Sequence, residues 1–216
     1  MTHQKKLSAP NHYPVTEQEQ KYVSTTEGSR STETSVPAVL FLRDVVEYAD
    51  TKKEAKKIVR NGDLLRNGEP VKDIREGLGE LDVVELPPAE ESYRVMRNAG
   101  RMEFVRTENT ETVAKITGKD KQGERLLYRL HNGENYSTRD DFQTGNTLVF
   151  DEGVEEIELE EGAEVIIRKG SHAGDRATVK EVTERGMNPD TALVEADEEF
   201  ETQLENLVAV TGTELE

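Results

Sequence analysis

The segment from Thr51 to Gly62 specifies its local structure more completely than any other part of the chain. Thr51 is a suitable N-cap residue, and Glu54 stands where it completes a capping box. Asn61 and Gly62 form a stop signal of the kind that ends a helix. Between these ends the apolar residues keep a helical spacing. The segment therefore predicts a short amphipathic helix that packs its apolar side on a small core.

The other side of this helix is strongly basic. At about 100° per residue, five cations fall within an arc of roughly 140°: Lys52, Lys53, Lys56, Lys57 and Arg60. Such a face suits a phosphate backbone, and the first N–H groups of the helix suit one more phosphate oxygen. The alternative is a solvated face, which is the commoner explanation of lysine runs. We interpret the face as an RNA contact because of the hairpin that follows it.

Short elements surround this helix. Helical spacing also marks Leu40, Leu42, Val45, Val46 and Ala49. After the helix, the Asn67-Gly68 pair between apolar residues predicts a short hairpin, and residues 82–86 predict a further strand. Residues 37–88 are therefore expected to form two helices on a small sheet.

The rest of the chain after residue 88 favours strands. Apolar and polar residues alternate between residues 92 and 150 and again between 165 and 210, with glycine turn signals between them. Because 33% of the residues are hydrophobic and 34% are charged, each core must be small. We expect an α+β, multi-domain chain: an arm (1–36), a helical module (37–88), a middle β-barrel (89–152) and a C-terminal β-barrel (153–216).

Residues 1–36 have too few periodic apolar residues to fold alone. The segment carries Lys5 and Lys6 and is rich in serine, threonine and glutamine. It is interpreted as an extended basic arm, with a disordered leader as the alternative.

The net charge of −17 is concentrated in the last third of the chain. Residues 1–139 contain 23 basic and 23 acidic residues, whereas residues 140–216 contain 5 and 22. In concentrated salt the Debye length falls to about 3 Å, so distant acidic surface repels RNA little. This distribution indicates a halophilic source, and the alternative is an acidic tail that binds basic partners.

The chain shows no sign of a catalytic or metal site. It has no cysteine, and its four histidines are far apart: His3, His12, His131 and His172. No apolar run approaches the roughly 18 to 20 residues of a membrane span. We expect a soluble, intracellular protein that is not an enzyme, with no cofactor, no small-molecule substrate and no membrane partner.

Five sequence segments resemble known families. Leu42-Arg43-Asp44-Val45, Thr51 to Ala55 and Gly62 to Gly68 resemble the S-four-type RNA-binding domain of ribosomal proteins, pseudouridine synthases and tyrosyl-transfer-RNA synthetases. The leader from Gln4 to His12 and the apolar segment from Val36 to Arg43 resemble the archaeal and eukaryotic small-subunit ribosomal protein family S-four-e. The order of parts agrees with that family over essentially the whole chain.

The segment from Val165 to Val179 resembles a KOW motif, which is two apolar strands joined by a basic, glycine-bearing loop in a barrel of the SH3-like type. It departs from the usual pattern at Asp175 and Ala177. Four basic residues there are candidates for RNA contact: Arg168, Lys169, His172 and Arg176. The alternative is a structural hairpin. Around the start of the middle barrel, Arg94, Arg97, Arg101 and Arg106 are weaker candidates for a second RNA clamp.

The resemblance implies a structural protein of the cytoplasmic small ribosomal subunit that binds small-subunit ribosomal RNA beside neighbouring ribosomal proteins. It adds RNA-binding candidates in the helical module: Arg43, Thr51, Asn61, Arg66 and Asn67. One alternative is a KOW-containing transcription or translation factor that binds RNA transiently. Another is an RNA-modifying enzyme, which needs a catalytic cleft and a larger domain than the sequence offers.

Overall fold

The computed structural model describes residues 4–5, 9–14, 22–28, 30–98, 100–186, 188–213 and 215. It contains two compact units, residues 1–110 with 215–216, and residues 111–214. Within the described residues the chain is mostly β, with two short α-helices and several antiparallel sheets.

The first unit holds both α-helices. Its elements, as far as the structure describes them, are β1 (Gln4–Lys5), β2 (Tyr22–Val23), β3 (Ser35–Pro37), α1 (Ala38–Leu40), α2 (Lys52–Asn61), β4 (Leu65–Arg66), β5 (Glu69–Pro70), β6 (Gly77–Gly79), β7 (Val83–Leu86), β8 (Glu91–Asn98) and β9 (Arg101–Arg106). Five of these strands form one sheet in the order β5-β4-β7-β8-β9, and β1-β2 and β3-β6 form two-stranded sheets.

The first predicted helix is shorter than its apolar spacing indicated. Helix α1 continues directly into a π-helical turn at Phe41–Val45, and the N–H of Val46 donates to the carbonyl of Phe41 at 3.0 Å. Glu47 then takes a φ of 51°, which ends the helical geometry before Ala49. The hairpin predicted at Asn67-Gly68 is present as β4 and β5, with Leu65 opposite Pro70.

The N-terminal segment differs from the extended arm that its composition suggested. Among its described residues, Tyr13 and Val23 lie in the core of the first unit, 3% and 7% exposed. The ring of His12 is 3.1 Å from the carbonyl of Ser35. Arg30 forms a buried ion pair with Asp82. The segment therefore packs on the sheet instead of standing free, because its few apolar residues find partners far along the chain.

The boundary expected near Pro87 and Pro88 also differs. The two prolines begin a 3-10 turn, Pro87–Ala89, that reverses the chain. Strands β7 and β8 consequently form a hairpin, in which Val84 is opposite Tyr93, and β8 and β9 complete the sheet of the first unit. The boundary between the two units falls after residue 110.

The second unit consists of strands and one 3-10 turn at Leu204–Asn206 among its described residues. Its strands are β10 (Thr112–Gln122), β11 (Arg125–Leu130), β12 (Asn135–Thr138), β13 (Thr147–Phe150), β14 (Val154–Ile157), β15 (Glu164–Ile167), β16 (Arg176–Thr183), β17 (Thr191–Glu195), β18 (Glu199–Gln203) and β19 (Leu207–Ala209). They form two five-stranded sheets in the orders β12-β11-β10-β13-β14 and β18-β17-β16-β15-β19. Each sheet has its own apolar core, one around Tyr128 and one around Val165.

Candidate nucleic-acid interface

Helix α2 begins and ends where its sequence predicted. The hydroxyl of Thr51 accepts a hydrogen bond from the N–H of Glu54 at 3.2 Å, and the Glu54 carboxylate accepts one from the N–H of Thr51 at 3.1 Å. At the other end Gly62 takes a φ of 81°, which a residue with a side chain adopts only with strain. The capping box is thus complete, and the helix is rigidly held at both ends.

The two sides of α2 face different surroundings. Ala55 and Val59 are buried against the core of the first unit, and Ile58 is half-buried. All five cations of the opposite side, which we call the α2 basic face, are exposed: Lys52, Lys53, Lys56, Lys57 and Arg60. Four of them, with Glu54, line one shallow depression. The Glu54 carboxylate already accepts a hydrogen bond from the backbone at the start of the helix, so it neutralises little of the positive charge of the lysines.

Several other described cations of the first unit are paired with acids. Arg75 pairs with Glu27, and Arg106 pairs with Glu91 at 3.2 Å. By contrast, no residue of the α2 basic face has an ion-pair partner within the part of the chain that the structure describes. The positive charge of this face is therefore available to an outside ligand.

The remaining candidates near α2 make contacts within the protein. Arg43 donates two hydrogen bonds to Asp44, at 2.9 and 2.7 Å. Arg66 donates to the carbonyl of Gly77 at 3.0 Å and pairs with Glu76. These contacts fix the π-helical turn and the β4–β5 hairpin.

Asn67 and Asn61 also bond within the chain. Asn67, with a φ of 52°, donates to Asp82 at 2.8 Å and accepts from the N–H of Val83 at 2.9 Å. Asn61 is exposed and donates to Asp63 at 3.1 Å. Of the candidates near α2, Arg43, Arg66 and Asn67 are therefore held by contacts within the protein, and Asn61 is exposed. At the N-terminus Lys6 lies outside the described residues, and Lys5 is described only as backbone in β1.

The arginines of β8 and β9 cannot all clamp RNA as suggested. Arg94 is completely buried, and its guanidinium donates to the carbonyl of Asn109 at 3.0 Å. Arg106 is exposed but paired with Glu91. Burial of Arg94 follows from its position opposite Val83 in the middle of the sheet.

The loop between β15 and β16 carries the other candidates, in the second unit. Gly170 and Gly174 take φ values of 97° and 104°, as a tight loop requires. His172 stacks on Phe200 with ring centroids 3.9 Å apart, and its Nδ1 is 3.3 Å from the Asp175 carboxylate. Lys169 and Arg176 are exposed, and Arg168 is half-buried. His172 is therefore held by the protein, whereas Lys169 projects from the loop.

One buried cation of the second unit was not among the candidates that the sequence indicated. Lys115 is 4% exposed, and its ammonium donates to the carbonyl oxygens of Leu204 and Leu207. Burial, reinforced by the nearby Arg168, lowers the pKa of Lys115 to about 8, although Glu205 opposes the shift. Its position within an alternating strand resembles that of an ordinary surface lysine, so the sequence pattern contains no signal of its burial.

Metal sites and membrane-spanning helices are both absent from the described residues. Across those ranges, no group of three or more histidine or acidic side chains is arranged to hold a metal ion. In the same part of the chain, no helix has both the length and the apolar character that a membrane crossing requires.

Comparison with known proteins identifies the family. No protein-family model matches the chain. The small ribosomal subunit protein eS4 of Methanocaldococcus jannaschii is 33% identical over 231 residues, which cover 98% of this chain and 94% of that protein. The chain belongs to the eS4 family. This membership confirms the resemblance that the leader, the apolar segment and the order of parts indicated.

Other eS4 proteins also match over nearly their whole length. Those of Archaeoglobus fulgidus and Natronomonas pharaonis are each 32% identical, covering 97% and 96% of this chain and 93% and 94% of their own length. The crystal structure of 30S ribosomal protein S4e from Thermoplasma acidophilum matches with a TM-score of 0.68 at 24% identity, over 85% of this chain and 99% of that one. The fold is therefore of the eS4 type. The sequence identity to the Natronomonas pharaonis protein, 32%, does not exceed the 33% identity to the Methanocaldococcus jannaschii protein.

Proposed function

We propose that this eS4 protein is a non-enzymatic, structural constituent of the small ribosomal subunit, bound to small-subunit ribosomal RNA through the α2 basic face. The family supports the ribosomal role, since its members bear the name of a small-subunit protein. One structural observation supports the location of the contact: five adjacent exposed cations without an ion-pair partner in the described residues.

The charge balance makes this observation informative. The chain has 45 acidic and 28 basic residues, so acids are available in excess to neutralise surface lysines. At several other positions they do: Lys180 pairs with Glu195, and Arg185 with Glu201. A cluster left unneutralised in such a chain carries an electrostatic cost in the free protein, which a phosphate backbone removes through counterion release.

The chemistry of the face suits phosphates more than bases. Four of its five cations are lysines, whose flexible stems carry point charges that find phosphate oxygens without fixed geometry. Structured RNA is recognised mainly by shape and by phosphate and ribose contacts. We infer that α2 fixes the position of the protein on folded RNA instead of reading a base sequence.

The proposal extends to the remaining parts of the chain. The part of the first unit from α1 to β7 acts as an S-four-type RNA-binding domain, the sheet of β10 to β14 as a middle barrel, and the sheet of β15 to β19 as a KOW domain whose loop supplies Arg168, Lys169 and Arg176. The contacts of Arg43, Arg66 and Asn67 position α2 and the hairpin for the RNA. The protein resides in cytoplasmic small subunits and touches neighbouring ribosomal proteins there, and its acidic last third is an adaptation to concentrated salt.

The test compares two variants whose net charge falls by the same amount. In one, Lys52, Lys53, Lys56 and Lys57 become glutamine. In the control, four cations of the second unit become glutamine: Lys119, Lys121, Arg139 and Lys180. Binding to protein-free small-subunit ribosomal RNA is measured across a series of salt concentrations. The α2 variant should lower the slope of log affinity against log salt by roughly 0.7 to 0.9 for each phosphate that the lysines no longer neutralise.

The control variant should keep a slope close to that of the unmodified chain, because three of its four positions are already paired with Asp141, Glu124 and Glu195. Equal slopes for the α2 and control variants would remove α2 from the interface. Sedimentation of the tagged chain separates the ribosomal role from that of a transient KOW factor. A structural constituent remains on small subunits in stoichiometric amount at physiological salt, whereas a factor is recovered mainly free.

A further inference from the structure

Tyr48 is the only large hydrophobic side chain that is exposed in the described part of the chain, at 42%. It lies in the loop between the π-helical turn and α2, four residues before Lys52. Single exposed apolar residues are ordinary on protein surfaces. Here the residue is unusual because every other aromatic side chain that the structure describes is buried or half-buried.

The other described aromatic rings all have ring partners. Within the first unit, Phe41 contacts Tyr93 at 5.4 Å and Phe104 at 4.7 Å, and Tyr13 contacts the ring of His12 at 5.0 Å. In the second unit the ring pairs are Tyr128 with Phe142, Tyr136 with Phe150, and Phe200 with His172. Among the described residues, Tyr48 has no ring contact. The ring is therefore partly accessible to a partner from outside.

The backbone holds Tyr48 in this position at a cost. The preceding residue, Glu47, has a φ of 51°, a conformation that residues with side chains seldom adopt. The N–H groups of Tyr48 and Ala49 both donate to the carbonyl of Leu42, at 2.9 and 3.0 Å. Directly after them the capping box fixes the start of α2. The ring is thus presented on a preorganised loop, and strain of this kind collects at binding sites.

Along the chain, Tyr48 is close to the α2 basic face. Four residues of chain span at most about 14 Å, which limits the distance between the backbones of Tyr48 and Lys52, so an RNA strand held by Lys52 and Lys53 can reach Tyr48. Sequence-tolerant stacking of an unpaired base on an aromatic ring beside a cationic track is a common way to hold single-stranded RNA. Folded RNA offers such bases in its loops and bulges.

We propose that Tyr48 is a stacking platform for an unpaired nucleobase of the RNA that lies on the α2 basic face. This inference rests on the proposed function and adds a contact that depends on bases and not on salt. It predicts that α2 sits where the bound RNA has a loop or a bulge, since a base inside a continuous duplex is not available to the ring.

The test uses two short RNA probes and three forms of the full chain. One probe is oligouridylate, and the other is a ribose-phosphate strand of the same length without bases. The unmodified chain should bind the base-bearing strand more tightly, by about fivefold or more, which is about the smallest gain expected from one stack. Tyr48→Phe keeps the ring and should keep this ratio. Tyr48→Leu keeps an apolar side chain and should bring the ratio close to one.

The salt slope separates this inference from the proposed function. Tyr48→Leu should leave the slope unchanged, whereas the four-lysine variant lowers it and retains the ratio between the two probes. If the unmodified chain does not prefer the base-bearing strand, or if Tyr48→Leu retains the preference, the stacking assignment is wrong even where the α2 variant behaves as expected. Since Tyr48 is exposed, thermal unfolding of both Tyr48 variants should match that of the unmodified chain.

Discussion

Arg30 and Asp82 form a buried ion pair across 52 positions of the chain, with side chains that are 5% and 2% exposed. The Asp82 carboxylate also accepts hydrogen bonds from the N–H of Gly79 at 2.7 Å and from Asn67 at 2.8 Å. One carboxylate therefore joins the N-terminal segment, strand β6 and the β4–β5 turn. A buried charge with this many partners is costly to leave unpaired.

Replacing Arg30 with methionine should destabilise the protein strongly. The substitution leaves the Asp82 carboxylate buried without its counter-ion, which typically costs about 3 to 5 kcal/mol. The matched control is Arg106→Met, because Arg106 pairs with Glu91 while remaining 66% exposed, and surface pairs contribute less than about 1 kcal/mol. Chemical denaturation gives both free energies of unfolding. A destabilisation by Arg30→Met no larger than that of the control would show that the pair does not hold the segment.

Replacing Tyr13 with alanine tests whether the N-terminal segment belongs to the core. Tyr13 is 3% exposed, and its hydroxyl is 3.1 Å from that of Thr26. Removing a large buried aromatic side chain leaves a cavity and should cost about 3 to 5 kcal/mol. Tyr48→Ala removes the same atoms from a partly exposed site and should cost much less. Similar melting temperatures for the two variants would mean that residues 1–36 behave as the free arm that their composition suggested.

The difference between these two regions shows what the sequence could predict. Helix α2 was predictable because its cap, its basic face and the glycine at its end all lie within twelve residues. The packing of the N-terminal segment was not, because it depends on partners such as Asp82 that lie about fifty positions away. Local composition gives no access to such contacts. The boundary between the units after residue 110 was missed because Pro87 and Pro88 look like a linker but form the turn of a hairpin.

The candidate interface was likewise predictable from the sequence only in part. The sequence indicated the five cations of α2 correctly as exposed and located on one side of a helix. It could not distinguish them from Arg66 and Arg43, since pairing of those two with Glu76 and Asp44 depends on the folded geometry of the hairpin and the π-helical turn. Lys115 was invisible for the same reason, because the carbonyls that accept its hydrogen bonds are 89 and 92 positions away.

Lys115 should make stability depend on pH in the alkaline range. Its pKa of about 8 lies below the ordinary value of 10.5, so between these values the unfolded chain binds more protons than the folded one. The free energy of unfolding therefore rises with pH in this window, by at most about 1.4 kcal/mol per pH unit. Burial raises the pKa of Tyr13 and Tyr93, which acts in the opposite direction near and above pH 10.

The measurement is chemical denaturation at intervals between pH 7.5 and about 9.5, below the range in which the tyrosines titrate. The Lys115→Met variant should lack the rise that the unmodified chain shows, whatever its absolute stability. Parallel curves for the two proteins would contradict a depressed pKa at this position. The comparison of slopes matters here, because methionine also removes the hydrogen bonds to Leu204 and Leu207.

Thr51→Ala should weaken both α2 and its proposed RNA contact. The substitution removes the hydroxyl that accepts from the N–H of Glu54, and removal of an N-cap of this type costs about 1 kcal/mol. RNA affinity should fall modestly while the salt slope stays unchanged, since every lysine of the face is retained. Thr51→Ser retains the cap and is the control. If Thr51→Ala lowered the slope as much as a lysine substitution does, the hydroxyl would have to contact RNA itself.

The loop between β15 and β16 provides the sharpest test of the proposed KOW contact. Lys169 is exposed beside Gly170, whereas Asp175 in the same loop lies close to the ring of His172 and adds negative charge. If the loop touches a phosphate, Lys169→Gln should lower the salt slope for ribosomal RNA by roughly 0.7 to 0.9. Lys180→Gln is the matched control, because Lys180 is exposed in the same unit but pairs with Glu195. Indistinguishable slopes for the two variants would show that Lys169 does not contact a phosphate and would favour a structural hairpin. A lower slope for Lys169→Gln alone would give the protein a second RNA contact, separated from α2 by more than a hundred residues of sequence.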